Sequence, residues 1–314
     1  MNEPRLTNKF ELRLFGVLGA ILVVLLTFSF IVSNKVERGD ESVPSKIVKN
    51  YFENLDIKAK AVYVLDVRTG KVLFEKNSNA RMPLASLTKV MTALVATDIA
   101  PEFSTIVIDG KALTAEGDSG LRANERWSLN RLLDFSLTSS SNDGATAVAF
   151  ALGALNKTGS TNGEAENDFV NLMNIRADKL GMKNTYYLNE TGLDESEIKN
   201  GAYGTAHDMA TLFEYILKNK PDLLDATQQS FLSINSLDNI THKVKNTDQI
   251  VVNIPGIKAS KTGFTDIAGG NLVVAFDPEL GRPIVISVLG STREDRFIDV
   301  ERLVKASLQT ISEL

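Results

Sequence analysis

The stretch that decides the fold of this chain is Gly256-Ile-Lys-Ala-Ser-Lys-Thr-Gly-Phe-Thr-Asp-Ile-Ala-Gly-Gly270, with Lys261, Thr262 and Gly263 at its centre. A Pro-Gly pair precedes it, and an apolar run at 272–276 follows it. Turn residues between two strand-like segments predict a β-hairpin whose second strand is buried. The hairpin edge offers a cation, a hydroxyl and a bare backbone to one cleft. We expect the glycine to let a ligand approach the backbone closely.

The apolar pattern on either side of this hairpin predicts a mixed fold. Strand-like runs occur at 61–65, 71–74, 249–252 and 283–288. Helical spacing occurs at 47–55, 86–99, 129–156 with a break near 139–142, 169–180, 205–217 and from about 294 onward. The terminal segments can close one sheet, and the helical middle can form a second lobe beside it. We therefore predict an α/β (α+β) fold with two lobes and a functional cleft between them.

Composition excludes several classes of protein. The chain has 314 residues, 43% of them hydrophobic and 23% charged, which is ordinary for a globular protein and excludes a disordered chain. The formal net charge of −5, without a cluster of basic residues, gives no indication of a nucleic-acid partner. The absence of cysteine excludes disulfides, a thiol nucleophile and thiolate metal sites.

The N-terminal region contains a run without a charge from Leu14 to Val32. At about 1.5 Å per residue, this run is long enough for the ~30 Å core of a bilayer. A cleaved signal peptide is the alternative, but residues 28–33 fit a small-x-small cleavage site poorly. We expect a cytoplasmic N-terminus at 1–13, a transmembrane anchor at 14–32, a linker at 33–45 and an extracytoplasmic domain at 46–314.

Ser86 and Lys89 are a candidate nucleophile and base, because residues three apart at a helix start share one face. A serine hydroxyl needs a base, and lysine serves only if its pKa falls from about 10.4 towards neutrality. Burial, a helix N-terminus and a second cation lower that pKa, and we expect Lys261 to be the cation. Taken singly, Ser-x-x-Lys is expected about once by chance, and a solvated pair is the competing interpretation.

Ser140-Ser141-Asn142 lies where one predicted helix ends and another begins. The structural interpretation is a helix N-cap, for which Ser and Asn are favoured. The functional interpretation is a hydroxyl that relays protons and an amide that binds a substrate carbonyl. A second Ser-x-Asn at 233–235 lacks a comparable context, and a second Lys-Thr-Gly at 157–159 lacks a following strand.

In combination the three motifs are far more specific than apart. Ser-x-x-Lys, Ser-x-Asn and Lys-Thr-Gly in this order resemble the penicillin-recognising serine acyltransferases. Longer stretches narrow the likeness to the low-molecular-mass D-alanyl-D-alanine carboxypeptidases over roughly 46–312; they lie at 86–93, 140–145, 191–193, 204–208 and 261–269. The resemblance implies a β-lactamase/transpeptidase-like fold, with an antiparallel sheet flanked by helices and a mostly helical lobe.

The resemblance also implies a role for each motif residue. Ser86 would attack the carbonyl of the penultimate D-alanine, with Lys89 as base. Ser140 would pass the proton towards the leaving group, and Asn142 would bind the substrate amide.

On the hairpin, Lys261 and Thr262 would hold the strand edge against the substrate and its terminal carboxylate. The oxyanion hole would consist of the backbone N–H groups of Ser86 and Phe264, such donors being worth about 3 kcal/mol of barrier. Arg296 resembles the carboxylate-binding arginine of the family, with a surface residue at the start of the last helix as the alternative.

The implied reaction is removal of the terminal D-alanine from peptidoglycan stem peptides, with β-lactams as covalent inhibitors and no metal or organic cofactor. His207 and His242, the two histidines of the chain, lie near no motif, so a Ser-His-Asp triad is not expected. A D,D-endopeptidase, a serine β-lactamase and a non-catalytic peptidoglycan- or β-lactam-binding module are the alternatives. The β-lactamase would need a Glu-x-x-Leu-Asn loop, which is absent.

Because family members often end in a membrane-bound amphipathic helix, we expect the run at 14–32 to replace that anchor.

Overall fold

The computed structural model describes residues 20–29, 49–117, 119–156 and 161–313. Residues 20–29 are helical and belong to a unit of their own, while residues 50–314 form a second, compact unit. Among the described residues, no helix combines the length and apolarity needed to cross a bilayer. The predicted anchor at 14–32 extends beyond the described residues at both ends. The segments 1–13 and 33–45 and the second Lys-Thr-Gly lie outside them.

The compact unit alternates strands and helices along the chain. Its strands are β1 (Ala61–Asp66), β2 (Lys71–Lys76), β3 (Met82–Pro83), β4 (Thr105–Val107), β5 (Arg126–Ser128), β6 (Tyr186–Tyr187), β7 (Ala202–Gly204), β8 (Phe231–Asn235), β9 (Thr241–Lys245), β10 (Ile257–Thr265), β11 (Gly269–Phe276) and β12 (Ile284–Ser291). Its α-helices are α1 (Thr88–Ile99), α2 (Leu129–Ser139), α3 (Asn142–Gly153), α4 (Asn162–Lys179), α5 (Ala206–Asn219) and α6 (Asp295–Ser312). Short 3-10 helices lie at Ala85–Leu87, Ala112–Thr114, Ala154–Asn156, Pro221–Gln228 and Val251–Asn253.

The main sheet has the strand order β10-β11-β12-β1-β2, and each neighbouring pair is antiparallel. Strand β1 pairs with the C-terminal strand β12, so both ends of the compact unit build one sheet, as predicted. Strands β1 and β12 are buried along their whole length, whereas β2 is an exposed edge. The Lys-Thr-Gly hairpin is β10 and β11, and its first strand forms the other edge.

Each face of the sheet covers its own apolar core, because successive side chains of a strand point to opposite faces. Val62 and Val64 of β1 pack with Leu303 of α6 in one core. Tyr63 and Leu65 belong to the other core, which contains the helices of the middle segment. The observed fold is therefore the predicted antiparallel sheet flanked by helices, with a mostly helical lobe on one side.

Two secondary-structure predictions are wrong. The predicted helix at 47–55 is, where described, a turn at residues 51–54, in which Asn54 has a φ of 64°. Residues 55–59 then belong to no helix or strand, and the backbone N–H groups of Lys58 and Ala59 donate to the Asp299 carboxylate at 2.9 and 2.8 Å. The predicted strand at 249–252 is a turn that leads into a 3-10 helix.

Helix α4 begins earlier than predicted. The sequence predicted helical spacing from residue 169, but the helix starts at Asn162 behind a capping box. The Glu164 N–H donates to Thr161 Oγ1 at 3.3 Å, and the Thr161 N–H donates to the Glu164 carboxylate at 2.9 Å. This reciprocal pair satisfies two backbone donors at the helix start, which apolar spacing does not reveal.

Candidate active site

Ser86 lies in the short 3-10 helix that leads into α1, and its side chain is half-buried. The preceding Ala85 has a φ of 49°, a left-handed conformation that costs roughly 1–3 kcal/mol outside glycine. Two glycines pack against this turn. A Cβ atom at Gly263 would lie 2.8 Å from the Leu84 carbonyl oxygen, and one at Gly192 would lie 1.9 Å from the Ala85 carbonyl oxygen. Gly263 therefore allows β10 to approach the serine turn, a reason that the sequence analysis did not give.

Lys89 lies one helical turn after Ser86 and is buried, with 2% of its surface exposed. Its Nζ atom lies 3.0 Å from Ser86 Oγ, 2.6 Å from Asn142 Oδ1 and 2.8 Å from the Thr191 carbonyl oxygen. Burial lowers the pKa of Lys89 to about 7, and the negative charge of Glu190 opposes that shift. A lysine that loses its proton near neutrality can accept the proton of a serine hydroxyl.

Ser140 forms the left-handed corner between α2 and α3, with a φ of 62°. The N-cap of α3 is the next residue, because Ser141 Oγ accepts the Gly144 N–H at 3.0 Å. Capping therefore accounts for Ser141 and leaves the Ser140 hydroxyl facing the cleft. Asn142 begins α3, and its Nδ2 donates to the Glu116 carbonyl oxygen at 2.6 Å.

Lys261 approaches the same point from the sheet. Its Nζ atom donates to Ser140 Oγ and to the Thr262 carbonyl oxygen, each at 2.9 Å, and 1% of its surface is exposed. Burial lowers the pKa of Lys261 well below its ordinary value, and the positive charges of Lys89 and Arg296 lower it further. The sequence predicted that Lys261 lowers the pKa of Lys89; instead burial lowers it, and the charge of Lys89 lowers the pKa of Lys261.

Thr262 has a hydroxyl partner that the sequence analysis missed. Its Oγ1 atom lies 2.6 Å from Thr247 Oγ1, and either hydroxyl can donate. Thr247 lies in the turn after β9, and both threonines line the same cavity. No motif marks Thr247, because its position depends on how the β8–β9 hairpin packs.

Arg296 lies in the first turn of α6 and is buried, which excludes the alternative of a surface residue. Its Nη1 atom donates to the Gly263 carbonyl oxygen at 2.7 Å. Burial is the main cause that lowers the pKa of Arg296 to about 10, and the positive charge of Arg293 is the second. The Arg293 guanidinium in turn lies 4.0 Å above the centre of the Phe264 ring. The two arginines therefore contact neighbouring residues of β10, Arg296 at Gly263 and Arg293 at Phe264.

A cavity of about 420 Å³ opens at these residues. Its lining residues are Ser86, Ser140, Lys245, Asn246, Thr247, Gln249, Thr262, Gly263, Phe264, Arg293 and Arg296. Every charged residue of that set is cationic, so the cavity favours an anionic group of a ligand. Lys89 and Lys261 do not line the cavity themselves, but each is hydrogen-bonded to a serine that does: Lys89 to Ser86 and Lys261 to Ser140. Lys245, Gln249 and Arg293 are further residues that sequence reasoning missed.

The described residues contain no group of three or more histidine, aspartate or glutamate side chains arranged to hold a metal ion. His242 is buried, with its Nε2 atom 2.7 Å from a Glu125 carboxylate oxygen. Neither it nor His207 lines the cavity. The side chains that line the cavity carry hydroxyl, amide, amine and guanidinium groups.

Comparisons with known proteins identify the family of this chain. The family model described as D-alanyl-D-alanine carboxypeptidase matches residues 48–292. The chain is 29% identical to the D-alanyl-D-alanine carboxypeptidase DacF of Bacillus subtilis, over 79% of this chain and 61% of that protein. The chain thus spans less than two thirds of the length of that relative. It is 31% identical to a D-alanyl-D-alanine endopeptidase of Pseudomonas aeruginosa, over 70% of this chain and 67% of that protein.

Among solved structures, the chain is similar to penicillin-binding protein D2 of Listeria monocytogenes in its ampicillin-bound form. The TM-score is 0.68 and the identity is 28%, with 81% of this chain and 98% of that chain covered. The family match covers well over half of the sequence and includes all three motifs. The chain therefore belongs to the D-alanyl-D-alanine carboxypeptidase family of serine peptidases.

Proposed function

We propose that this chain is a serine-type D-alanyl-D-alanine carboxypeptidase that removes the terminal D-alanine from peptidoglycan stem pentapeptides. The observation that carries the proposal is the contact between Lys89 Nζ and Ser86 Oγ at 3.0 Å. Since burial lowers the pKa of Lys89 to about 7, a large fraction of this amine is neutral near physiological pH. A serine hydroxyl with a base within hydrogen-bonding distance can act as a nucleophile in acyl transfer. The cavity in front of it favours an anion, which suits a peptide that ends in a carboxylate.

In the acylation step, Lys89 takes the proton of the Ser86 hydroxyl while Oγ attacks the carbonyl carbon of the penultimate D-alanine. The C–N bond to the terminal D-alanine then breaks. The leaving amine takes a proton from the Ser140 hydroxyl, which Lys261 reprotonates through the 2.9 Å hydrogen bond. The backbone N–H groups of Ser86 and Phe264 stabilise the oxyanion, each donor being worth about 3 kcal/mol.

Substrate binding uses the front of the same cavity. The terminal carboxylate accepts hydrogen bonds from the Thr262 and Thr247 hydroxyls in the field of Arg296 and Lys245. Asn142 holds Lys89 through Oδ1 and the Glu116 carbonyl through Nδ2. When Asn142 Nδ2 donates to a substrate carbonyl, this new hydrogen bond therefore replaces the one to the Glu116 carbonyl oxygen.

Water then hydrolyses the acyl-enzyme. No carboxylate side chain is among the described residues that line the cavity, so no acidic group is placed there to direct a fast attack on a penicilloyl ester. Glu190, whose charge acts on Lys89, does not line the cavity; it is buried and hydrogen-bonded to Thr146. We therefore favour β-lactams as slow covalent inhibitors over β-lactamase activity.

The test is intact-mass measurement of the full chain after incubation with a fluorescent penicillin. We expect one stable adduct at Ser86, its absence in Ser86→Ala and its presence in the matched control Ser141→Ala. Release of free D-alanine from a stem pentapeptide completes the assignment. A folded protein that forms no adduct would leave the non-catalytic binding module as the better account.

A D,D-endopeptidase is the second candidate, because a relative with that name matches the chain at 31% identity. The two activities share the acylation chemistry and differ in the group that leaves. Parallel assays on a pentapeptide and on a cross-linked peptide dimer separate them. Faster cleavage of the dimer would identify the endopeptidase.

We also propose that residues 14–32 anchor the chain in the bacterial cell membrane, with the domain at 46–314 outside the cytoplasm. The uncharged run is the support, together with three basic residues on its N-terminal side, Arg5, Lys9 and Arg13, against two on its C-terminal side, Lys35 and Arg38. The proposal predicts protein that sediments with membranes and is accessible to protease added to spheroplasts. A soluble form whose N-terminus lies near residue 34 would contradict it.

A further inference from the structure

The amine of Lys89 is surrounded by three oxygen atoms. Its Nζ lies 2.6 Å from Asn142 Oδ1, 2.8 Å from the Thr191 carbonyl oxygen and 3.0 Å from Ser86 Oγ. The amide and carbonyl oxygens can only accept, whereas the serine hydroxyl can also donate. A neutral amine has two N–H groups and one lone pair. If the Asn142 and Thr191 oxygens accept the two N–H groups, the lone pair is left facing the Ser86 hydroxyl, as a base requires.

The Thr191 acceptor is a backbone group, so its direction depends on what holds the Thr191–Gly192 peptide. The C=O and N–H groups of a trans peptide point in opposite directions, so a contact that fixes one of them also fixes the other. The Gly192 N–H donates to Asn189 Oδ1 at 2.7 Å. A single peptide group therefore joins the Asn189 side chain on one side to the Lys89 amine on the other.

The Asn189 side chain is itself held at both ends of its amide. Oδ1 also accepts the Thr191 hydroxyl at 3.1 Å, and Nδ2 donates to the Leu193 carbonyl oxygen at 3.0 Å. Nδ2 donates to the Glu195 carboxylate as well. These contacts fix the orientation of the amide, so Oδ1 is directed at the Gly192 N–H.

The two flanking peptides are held by other side chains. Thr92 Oγ1 donates to the Glu190 carbonyl oxygen at 2.6 Å, and Asn200 Nδ2 donates to the Gly192 carbonyl oxygen at 3.4 Å. Neither contact is made with the C=O or N–H of the Thr191–Gly192 peptide. We therefore expect the segment to keep its place without Asn189, while this one peptide becomes free to turn.

We propose that Asn189 is a positioning residue that holds the Thr191–Gly192 peptide, so that the Thr191 carbonyl turns the lone pair of Lys89 towards Ser86. Asn189 does not line the cavity and acts only through this peptide. The inference rests on the proposed function for its consequence in acylation. The hydrogen bonding of Lys89 can be measured without any reaction.

Loss of the Asn189 side chain is expected to change Lys89 in two ways. The neutral amine can turn and donate to Ser86 Oγ, so the plateau of the acylation rate falls. The charged amine loses an acceptor that favours the protonated form, so the pKa of Lys89 falls. The acid limb of the pH profile, where acylation rises with pH, then moves to lower pH.

The charges near Lys89 stay the same in that variant. They belong to Glu190 in the same segment, to Lys261 on β10 and, beside Glu190, to Glu166 of α4. Asn189→Ala removes none of them, so a movement of the acid limb reports the hydrogen bond of Lys89.

The first test is an NMR titration of ¹⁵N-lysine-labelled protein, with the Lys89 signal assigned by its loss in Lys89→Arg. We expect a lower Lys89 pKa in Asn189→Ala than in the wild type. Ser196→Ala is the matched control and should leave this pKa unchanged. Ser196 is an exposed residue of the same loop, and its Oγ accepts the Ile198 N–H at 3.4 Å.

The second test is the acylation rate with a fluorescent penicillin across the pH range, with circular dichroism as the check on folding. The plateau of Asn189→Ala should fall by up to about 10²-fold, the effect of a small misplacement at a reaction centre. Asn189→Asp keeps an oxygen acceptor for the Gly192 N–H and should restore most of the plateau. Its added negative charge should move the acid limb the other way, to higher pH.

An unchanged Lys89 pKa in folded Asn189→Ala would overturn the inference. A lower plateau with an unmoved acid limb would also overturn it, because general loss of structure lowers the rate equally at every pH. If Asn189→Ala does not fold, Asn189→Gln displaces the same amide by one methylene and is measured in its place. Failure of the wild type to acylate would overturn the proposed function, and the NMR titration would still decide the inference.

Discussion

Lys261 Nζ lies 2.9 Å from Ser140 Oγ, and this hydrogen bond joins the edge strand of the sheet to the corner between α2 and α3. The two side chains come from opposite sides of the cleft. A proton can therefore pass between the lobes through this hydrogen bond.

Loss of the Ser140 hydroxyl is expected to slow acylation without unfolding the protein. Ser140→Ala removes the group that protonates the leaving amine, so the second-order rate constant with a fluorescent penicillin should fall by roughly 10²–10⁴-fold. Ser141→Ala is the control, because it removes the α3 cap and should cost about 1 kcal/mol of stability. Equal acylation defects in the two variants would argue against a relay through Ser140.

Acylation is expected to rise with pH around neutrality. Because burial lowers the pKa of Lys89 to about 7, the neutral fraction of the amine grows as the pH increases through that value. Lys89→Arg places a group there that stays protonated, so we expect no adduct at any pH below about 10. The measurement is the adduct yield against pH, with circular dichroism as the check on folding. An adduct in Lys89→Arg would transfer the role of base to another residue.

Gly263 is expected to tolerate no side chain. In Gly263→Ala the new Cβ atom would lie 2.8 Å from the Leu84 carbonyl oxygen and 3.3 Å from the Leu87 nitrogen, so β10 must move away from the serine turn. A displacement of about 1 Å at a reaction centre can reduce the rate by about 10²-fold. Gly163→Ala on α4 is the control, since its Cβ atom meets nothing within 4 Å. An acylation rate in Gly263→Ala equal to that of the control would contradict this packing argument.

Glu166 is expected to make the stability of the protein depend on pH. Burial, followed by the charge of Glu190, raises the pKa of Glu166 from 4.5 to about 7. Because the folded state holds this proton more tightly than the unfolded state, the free energy of unfolding decreases as the pH rises from about 4.5 to about 7. Glu166→Gln should abolish this decrease, and urea unfolding at pH values below and above that range measures it.

The matched control for that measurement is Glu197→Gln, which changes an exposed glutamate. It is expected to leave the pH dependence of stability as in the wild type. The same decrease in Glu166→Gln as in the wild type would show that another group is responsible.

The three motifs could be recognised from the sequence because each lies at a junction of elements that local patterns mark. Turn residues flank the Lys-Thr-Gly hairpin, a helix start follows Ser86, and a break between two helical segments contains Ser140. Such junctions leave side chains free of regular packing, which is where a site can form. The relation of the motifs to one another came from the resemblance, since spacing along the chain does not give distances across a cleft.

The supporting residues could not be predicted, because long-range packing places them. Thr247 and Glu190 carry no local pattern, and the turns that hold them make contacts with distant segments. The helix predicted at 47–55 failed for a related reason. Buried Phe52 contributes to the apolar spacing, but the Asp299 carboxylate of α6 accepts the backbone N–H group of Lys58 just after this segment.

The pairing of β1 with β12 has a consequence for how the protein reaches its active state. Ala61 lies opposite Leu289, so the centre of the sheet is formed by segments from near the two ends of the compact unit. Contacts of such large sequence separation form late and slowly, because a long loop must close first. Strand β10 reaches the sheet only through β11 and β12. We therefore expect the serine turn and the Lys-Thr-Gly strand to meet in one late, cooperative step, and a chain interrupted before β12 to have helices but no reactive serine.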